Sequence, residues 1–119
     1  ELLIALSLSL SKLSILLDAY ATYETPQEII MATTTAYASL EELTDSTPFI
    51  TASGTTTRKG IIACPKKYPF GTKILIDYEI YDCQDRMSKK YPDRFDIWMP
   101  TIKEAKTWGI KKVEVKILP

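Results

Sequence analysis

Beyond residue 32 the chain is patterned by short runs in which apolar and polar positions alternate. The last of them, Lys112-Val113-Glu114-Val115-Lys116-Ile117-Leu118, changes character at almost every step and predicts a half-buried strand. β-Branched and aromatic residues cluster over residues 33–40, predicting a first strand that Glu41, Glu42 and the turn Asp45-Ser46-Thr47-Pro48 bring to an end. Further short strands are predicted over residues 49–52, 61–64, 73–76, 78–83 and 95–99, separated by Ser53-Gly54, Pro65 and Pro69-Phe70-Gly71. One stretch has helical spacing instead: Ile102, Ala105 and Trp108 follow Pro100-Thr101 and stop at Gly109. The pattern predicts a mainly β domain, a small barrel or sandwich with one short inserted helix.

Ahead of these strands the pattern is different. Residues 1–17 are almost entirely leucine, isoleucine, alanine and serine around Lys12. A helix rises about 1.5 Å per residue, so a run of this length barely crosses a hydrocarbon layer about 30 Å thick. It is expected to be an apolar N-terminal helix, the remainder of a signal peptide or a membrane anchor. Leu3, Leu10 and Leu17 recur at heptad spacing, which leaves open an amphipathic helix packed on the domain. Residues 18–31 are acidic and polar around Pro26 and read as a linker, so the domain is expected over residues 32–119.

Composition narrows the chemistry. At 119 residues the chain is expected to form one domain with one site. Formal charge is zero, but residues 1–48 hold seven acids and one base while residues 49–119 hold eight acids and fourteen bases, so an acidic or polyanionic partner suits the second part. The lysine pairs Lys66-Lys67, Lys89-Lys90 and Lys111-Lys112 lack the interleaved aromatics of a single-strand nucleic-acid platform, and no nucleic-acid partner is expected. Histidine is absent, which removes Ser-His-Asp and Cys-His catalysis and zinc sites built on imidazole; no metal or cofactor is expected. Cys64 and Cys83 lie nineteen positions apart, too far for a redox CxxC. A structural disulfide formed outside the cytoplasm is the natural use, and two reduced thiols acting as small hydrophobes are the alternative.

The remaining chemistry rests on carboxylates. Asp85, Asp93 and Asp96 fall in the stretch from Cys83 to Asp96, and Asp96 has Phe95 and Trp98 as apolar neighbours that can raise its proton affinity. The competing reading makes all three solvated loop charges paired with Arg86, Lys89, Lys90 and Arg94.

Taken together, Thr35-Ala36-Tyr37, Gly60-Ile61-Ile62-Ala63-Cys64-Pro65, Tyr68-Pro69-Phe70-Gly71-Thr72-Lys73, Asp85 followed eleven positions later by Asp96, and Ala105-Lys106-Thr107-Trp108-Gly109 ahead of Val113-Glu114-Val115 resemble the three-aspartate (3D) domain. That family is similar to the catalytic domain of membrane-bound lytic transglycosylase A and more distantly to rare lipoprotein A and the expansins. The resemblance covers residues 33–118 and implies a six-stranded double-psi β-barrel with a glycan-binding cleft. It further implies action on peptidoglycan, and together with the apolar run and the cysteines the expectation is an extracytoplasmic, monomeric protein, secreted or tethered to the membrane through residues 1–17.

The activity so implied is cleavage of the MurNAc–GlcNAc bond without water. A carboxylic acid protonates the glycosidic oxygen, and the 6-hydroxyl of the sugar then closes onto C1. This requires a carboxyl whose pKa is raised above about 4, with a second carboxylate stabilising the oxocarbenium-like transition state. Asp96 matches the family's last aspartate and is the expected acid; Asp85 matches the middle one and is the expected stabiliser. Thr35, Tyr37, Thr51, Ser53, Arg94 and Trp98 are expected to contact the glycan. The family's first aspartate has no counterpart, because the chain there reads Ala63-Cys64-Pro65, and Arg86 and Met87 replace the small residues that usually follow the middle one. A Cys64–Cys83 bond is expected to brace the floor of the site, with Asp82 or Asp93 available as a substitute charge. The alternative function is a non-catalytic, expansin-like wall-binding module.

Overall fold

The computed structural model describes residue 12 and residues 26–39 and 49–119. The expected N-terminal helix apart from Lys12, most of the expected linker and the turn at residues 41–48 lie outside the described residues. Among the described residues no helix is long and apolar enough to cross a membrane.

Six strands and one helix follow in order: β1 (Glu28–Tyr37), β2 (Ile61–Cys64), β3 (Lys73–Ile76), β4 (Glu79–Arg86), β5 (Arg94–Trp98), α1 (Ile102–Trp108) and β6 (Lys111–Ile117). The strands close a barrel in the order β1-β5-β2-β4-β3-β6. Pairs β1–β5 and β2–β4 are parallel and the others antiparallel, so the sheet is mixed. Closure gives every strand two neighbours and leaves no edge to aggregate.

The core follows from alternation. Each strand buries two inward residues: Ala32 and Thr34, Ile62 and Cys64, Ile74 and Ile76, Tyr81 and Cys83, Phe95 and Ile97, Val115 and Ile117; Ile30 of β1 and Val113 of β6, partly buried, pack against them. Each large apolar side chain so buried contributes on the order of 2 kcal/mol. The one polar member, Thr34, has both hydroxyl valences used: it donates to the Lys111 carbonyl at 3.1 Å and accepts from Trp108 Nε1 at 3.2 Å. That second bond, with Trp108 packed against the core, seats α1 on β1. The helix is capped as its sequence requires, with the Thr101 hydroxyl accepting from Glu104 N–H and Gly109 at φ 68 closing the C-terminus.

Three boundaries differ from the sequence expectation. β1 begins at Glu28, inside the stretch read as linker, because the long alternating β6 needs a partner along its whole length; Ile30 pairs with Val115 and Glu28 with Ile117. Residues 49–52 are not a barrel strand. Amide bonds from Thr51 to Thr55 O and from Gly54 to Thr51 O, with Gly54 at φ 87, fold residues 49–57 into a tight loop whose sole ladder element is the Ile50–Thr56 bridge. β4 runs on past Cys83 to Arg86, so Asp85 stands on a strand rather than in a loop.

Cys64 and Cys83 form a disulfide, with α-carbons 5.8 Å apart, both fully buried and joining β2 to β4. Closing a loop of this separation contributes roughly 3 kcal/mol by restricting the unfolded chain. Such bonds persist in oxidising compartments.

Candidate active site

The two aspartates meet across β2. Ala63 pairs with Asp85 on its parallel neighbour β4 and with Asp96 on its antiparallel neighbour β5, and Asp96 in turn pairs with Thr35 on β1. Because Ile62 and Cys64 face the core, Ala63 and its lateral partners face outward, so Asp85, Ala63, Asp96 and Thr35 form one row on the barrel wall. Two strand spacings separate the backbones of the aspartates, about 10 Å.

Simple alternation does not put Asp85 in this row. Cys83 faces the core, so an unbroken strand would return Asp85 to the core beside it. The pairing slips between Ile62, opposite Cys83, and Ala63, opposite Asp85, leaving Gln84 as an extra residue. This bulge turns the carboxylate outward, the use to which bulges next to sites are commonly put. Gln84 is held in turn by the 49–57 loop, accepting from Ser53 N–H at 3.1 Å through its carbonyl and from Ser53 Oγ at 2.6 Å through Oε1.

The two carboxyls have different surroundings. Asp85 accepts three hydrogen bonds: from the Tyr37 hydroxyl at 2.6 Å on Oδ2, and from Ala52 N–H at 2.9 Å and Arg86 N–H at 3.0 Å on Oδ1. Asp96 accepts one, from Thr35 Oγ1 at 2.9 Å on Oδ1, and among the described residues its Oδ2 has no protein partner. Burial raises the Asp96 pKa above the ordinary aspartate value; the Thr35 hydrogen bond opposes that shift, and the charge of Asp85 adds to it. Burial, then the hydrogen bond to Asp85 and the charges of Asp85 and Asp96, push the Tyr37 phenol well above the ordinary tyrosine range, so it stays a proton donor. Among the described residues neither aspartate lies within ion-pair distance of a basic group, contrary to the reading of solvated, paired loop charges.

The other expected site residues divide. Thr35 and Tyr37 are the partners of the two aspartates. Trp98 shares the outward face of β5 with Asp96 and donates its indole N–H to Ser39 Oγ at 2.8 Å. Phe95 turns into the core on the opposite face, so it is not the neighbour that desolvates Asp96. Thr51 is buried, its hydroxyl within hydrogen-bond distance of Ser53 and Thr55, and with Ser53 it fixes the loop over the bulge. Arg94 stacks on Tyr91, with the guanidinium carbon 4.2 Å from the ring centroid. Asp82 is engaged by Lys73 at 3.2 Å and Arg58 at 3.5 Å, and Asp93 is an exposed loop residue. Neither belongs to the row formed by Asp85, Ala63, Asp96 and Thr35.

The disulfide lies behind this row, inside the barrel, while Ala63 fills the outward position between the aspartates. Two participants were invisible in the sequence: the Ala52 and Arg86 amides. Backbone donors carry no residue signature, and only the short loop before β2 and the bulge aim them. The Arg86 side chain passes the other way, donating to the Tyr68 carbonyl at 2.7 Å and the Pro65 carbonyl at 3.3 Å and lying 4.0 Å above the Phe70 ring. A scan against protein-family models and a search of the curated proteins find no match to this chain.

Proposed function

We propose that the barrel is a double-psi β-barrel of the three-aspartate type and that the protein is a peptidoglycan-cleaving enzyme of lytic transglycosylase type, working outside the cytoplasm. The observation that carries this reading is the asymmetry of the carboxyl pair flanking Ala63: one carboxyl has its proton affinity raised and, among the described residues, one oxygen without a hydrogen-bond partner, while the other is surrounded by donors.

In the proposed reaction Asp96 Oδ2 gives its proton to the glycosidic oxygen as the bond from that oxygen to C1 of the muramyl sugar breaks. Positive charge develops on C1 and the ring oxygen, and Asp85, fixed by Tyr37 and the two amides, stabilises it electrostatically. The 6-hydroxyl then attacks C1 and returns its proton to the Asp96 carboxylate, regenerating the acid and leaving a 1,6-anhydro end with no water consumed. Thr35 holds the other Asp96 oxygen and so presents Oδ2. The buried disulfide supports an oxidising compartment for this work.

A second reading draws on Ala63: with no third aspartate on the row, the barrel grips wall glycan without cleaving it. Incubating the full chain with purified sacculi and analysing the soluble products by mass spectrometry decides between them. Cleavage as proposed releases muropeptides with anhydro ends; a binding module sediments with the sacculi and releases none.

A further inference from the structure

A groove opens at one end of strands β2, β4 and β5. It is lined by Pro65, Lys66 and Lys67, which follow β2, and by Met87, Lys89 and Tyr91 with Pro92 and Asp93, which belong to the connection from β4 to β5; its volume is about 310 Å³. The segment joining the two aspartate-bearing strands is thus one wall of this groove, and the residues just after Ala63 are the other. The walls are held together: Met87 N–H donates to the Cys64 carbonyl at 3.1 Å and Arg86 Nη1 to the Pro65 carbonyl at 3.3 Å, beside the disulfide.

Its charge is strongly biased. Lys66, Lys67, Lys89 and the adjacent Lys90 are all exposed, against Asp93 within the groove and Glu28 at its margin. Lys67 reaches Glu28 at 4.0 Å, a marginal ion pair; among the described residues Lys66, Lys89 and Lys90 have no acidic partner within that distance. Four like charges on the two walls of one groove give it a positive local potential that favours an anion. Lysines on flexible stems suit dispersed anionic groups, whereas bidentate recognition of a single carboxylate or phosphate favours arginine. The arginines nearby are committed elsewhere, Arg86 to two carbonyls and Arg94 to the Tyr91 ring.

We infer that this groove is an anion-binding subsite for the same polymer that lies over Asp85 and Asp96, and that it takes the carboxylates of the wall glycan's peptide stems. The inference rests on the glycan reading above and adds to it a direction: the strand carrying the scissile bond runs from the aspartate row towards the lysine loops, which hold its acidic side chains. The proline, methionine and tyrosine surfaces between the lysines cover the apolar parts of those stems. The subsite selects acidic over neutral glycans and is weakened by salt.

The test uses the full chain and its variant Lys66→Gln/Lys67→Gln/Lys89→Gln/Lys90→Gln; all four side chains are exposed, and thermal melting checks that the variant folds. Five probes are titrated at low and high salt: poly-γ-glutamate, sacculi, sacculi with their carboxyls amidated, a glycerol-phosphate polymer and single-stranded DNA. The expected result is salt-sensitive binding of poly-γ-glutamate that weakens about tenfold or more in the variant, with intact sacculi held more tightly than amidated sacculi by the wild type alone. Equal binding of intact and amidated sacculi by the wild type, or sacculus binding unchanged in the variant, overturns the subsite and leaves the glycan reading standing. Lysine-dependent poly-γ-glutamate binding without any glycan cleavage supports the subsite and counts against the enzyme. Preference for a glycerol-phosphate polymer or single-stranded DNA over poly-γ-glutamate overturns the carboxylate assignment.

Discussion

The Tyr37 hydroxyl donates a 2.6 Å hydrogen bond to Asp85, a residue 48 positions away in the chain and on a strand that is not its neighbour in the barrel. Tyr37 ends β1 and Asp85 stands at the bulge of β4, so the bond ties the two outer strands of the aspartate row together. Thr35, two residues back on the same face, holds Asp96. One strand therefore supplies a donor to each carboxyl.

Tyr37→Phe keeps the ring and removes the donor. A hydrogen bond to a charged acceptor is worth about 1.5–3 kcal/mol, so we expect a loss of stability of that order at neutral pH. Glycan cleavage should fall as well, because Asp85 is less firmly placed. Denaturant titration of the two proteins measures the first effect, and unchanged stability would show that the phenol–carboxylate bond contributes nothing net.

Asp96→Asn should change stability with a definite sign. The folded state raises the Asp96 pKa, so between the ordinary aspartate value and the raised one the folded protein holds more protons than the unfolded chain. Stability associated with this group is therefore present at low pH and lost as pH rises through the raised value. Asparagine carries no charge and avoids that loss. The variant should melt higher than wild type at neutral pH, with the difference shrinking as pH falls below the ordinary carboxylate range. A melting difference that is flat with pH, or larger in acid, would contradict the desolvation of Asp96.

Much of this could be read from the sequence, and the failures have physical causes. Alternation along Phe95-Asp96-Ile97-Trp98 puts Asp96 and Trp98 on one face, as observed, whereas reading Phe95 as an apolar neighbour of Asp96 rests on adjacency in the chain alone, and the pleat sends Phe95 to the other side. Asp85 could not be placed by alternation, because one extra residue at Gln84 reverses the face of everything after it. The hydroxyl-rich stretch 51–57 has strand-forming threonines, but their hydroxyls bond one another across a turn and win over the ladder. The capped helix and the β6 strand carry their own local signals and emerged with nearly the expected bounds.

The start of β1 is the boundary that sequence reading placed too late, and it yields a truncation test. A chain beginning at Ala32 loses the pairing of Glu28, Ile29, Ile30 and Met31 with β6 and the Tyr68 hydroxyl bond to Glu28 at 3.1 Å. Removing that half of a barrel seam should cost about 3 kcal/mol or more, from lost burial of Ile30 and unpaired β6 amides. A chain beginning at Pro26 keeps all of these contacts. Equal melting temperatures for the two truncations would show that Glu28 to Met31 are dispensable to the barrel.

Activity should follow the protonated form of Asp96, so cleavage by the wild type should decline as pH rises through the raised Asp96 value. The most direct test of the account is the rate at which anhydro-muropeptides are released from purified sacculi by the full chain, compared with Asp96→Asn and with Asp93→Asn as the exposed-loop control. Asparagine keeps the Thr35 hydrogen bond and removes the transferable proton, so Asp96→Asn should release them on the order of 100-fold more slowly, while Asp93→Asn stays near wild type. Full release by Asp96→Asn, or an equal loss in Asp93→Asn, would contradict the assignment of Asp96 as the acid.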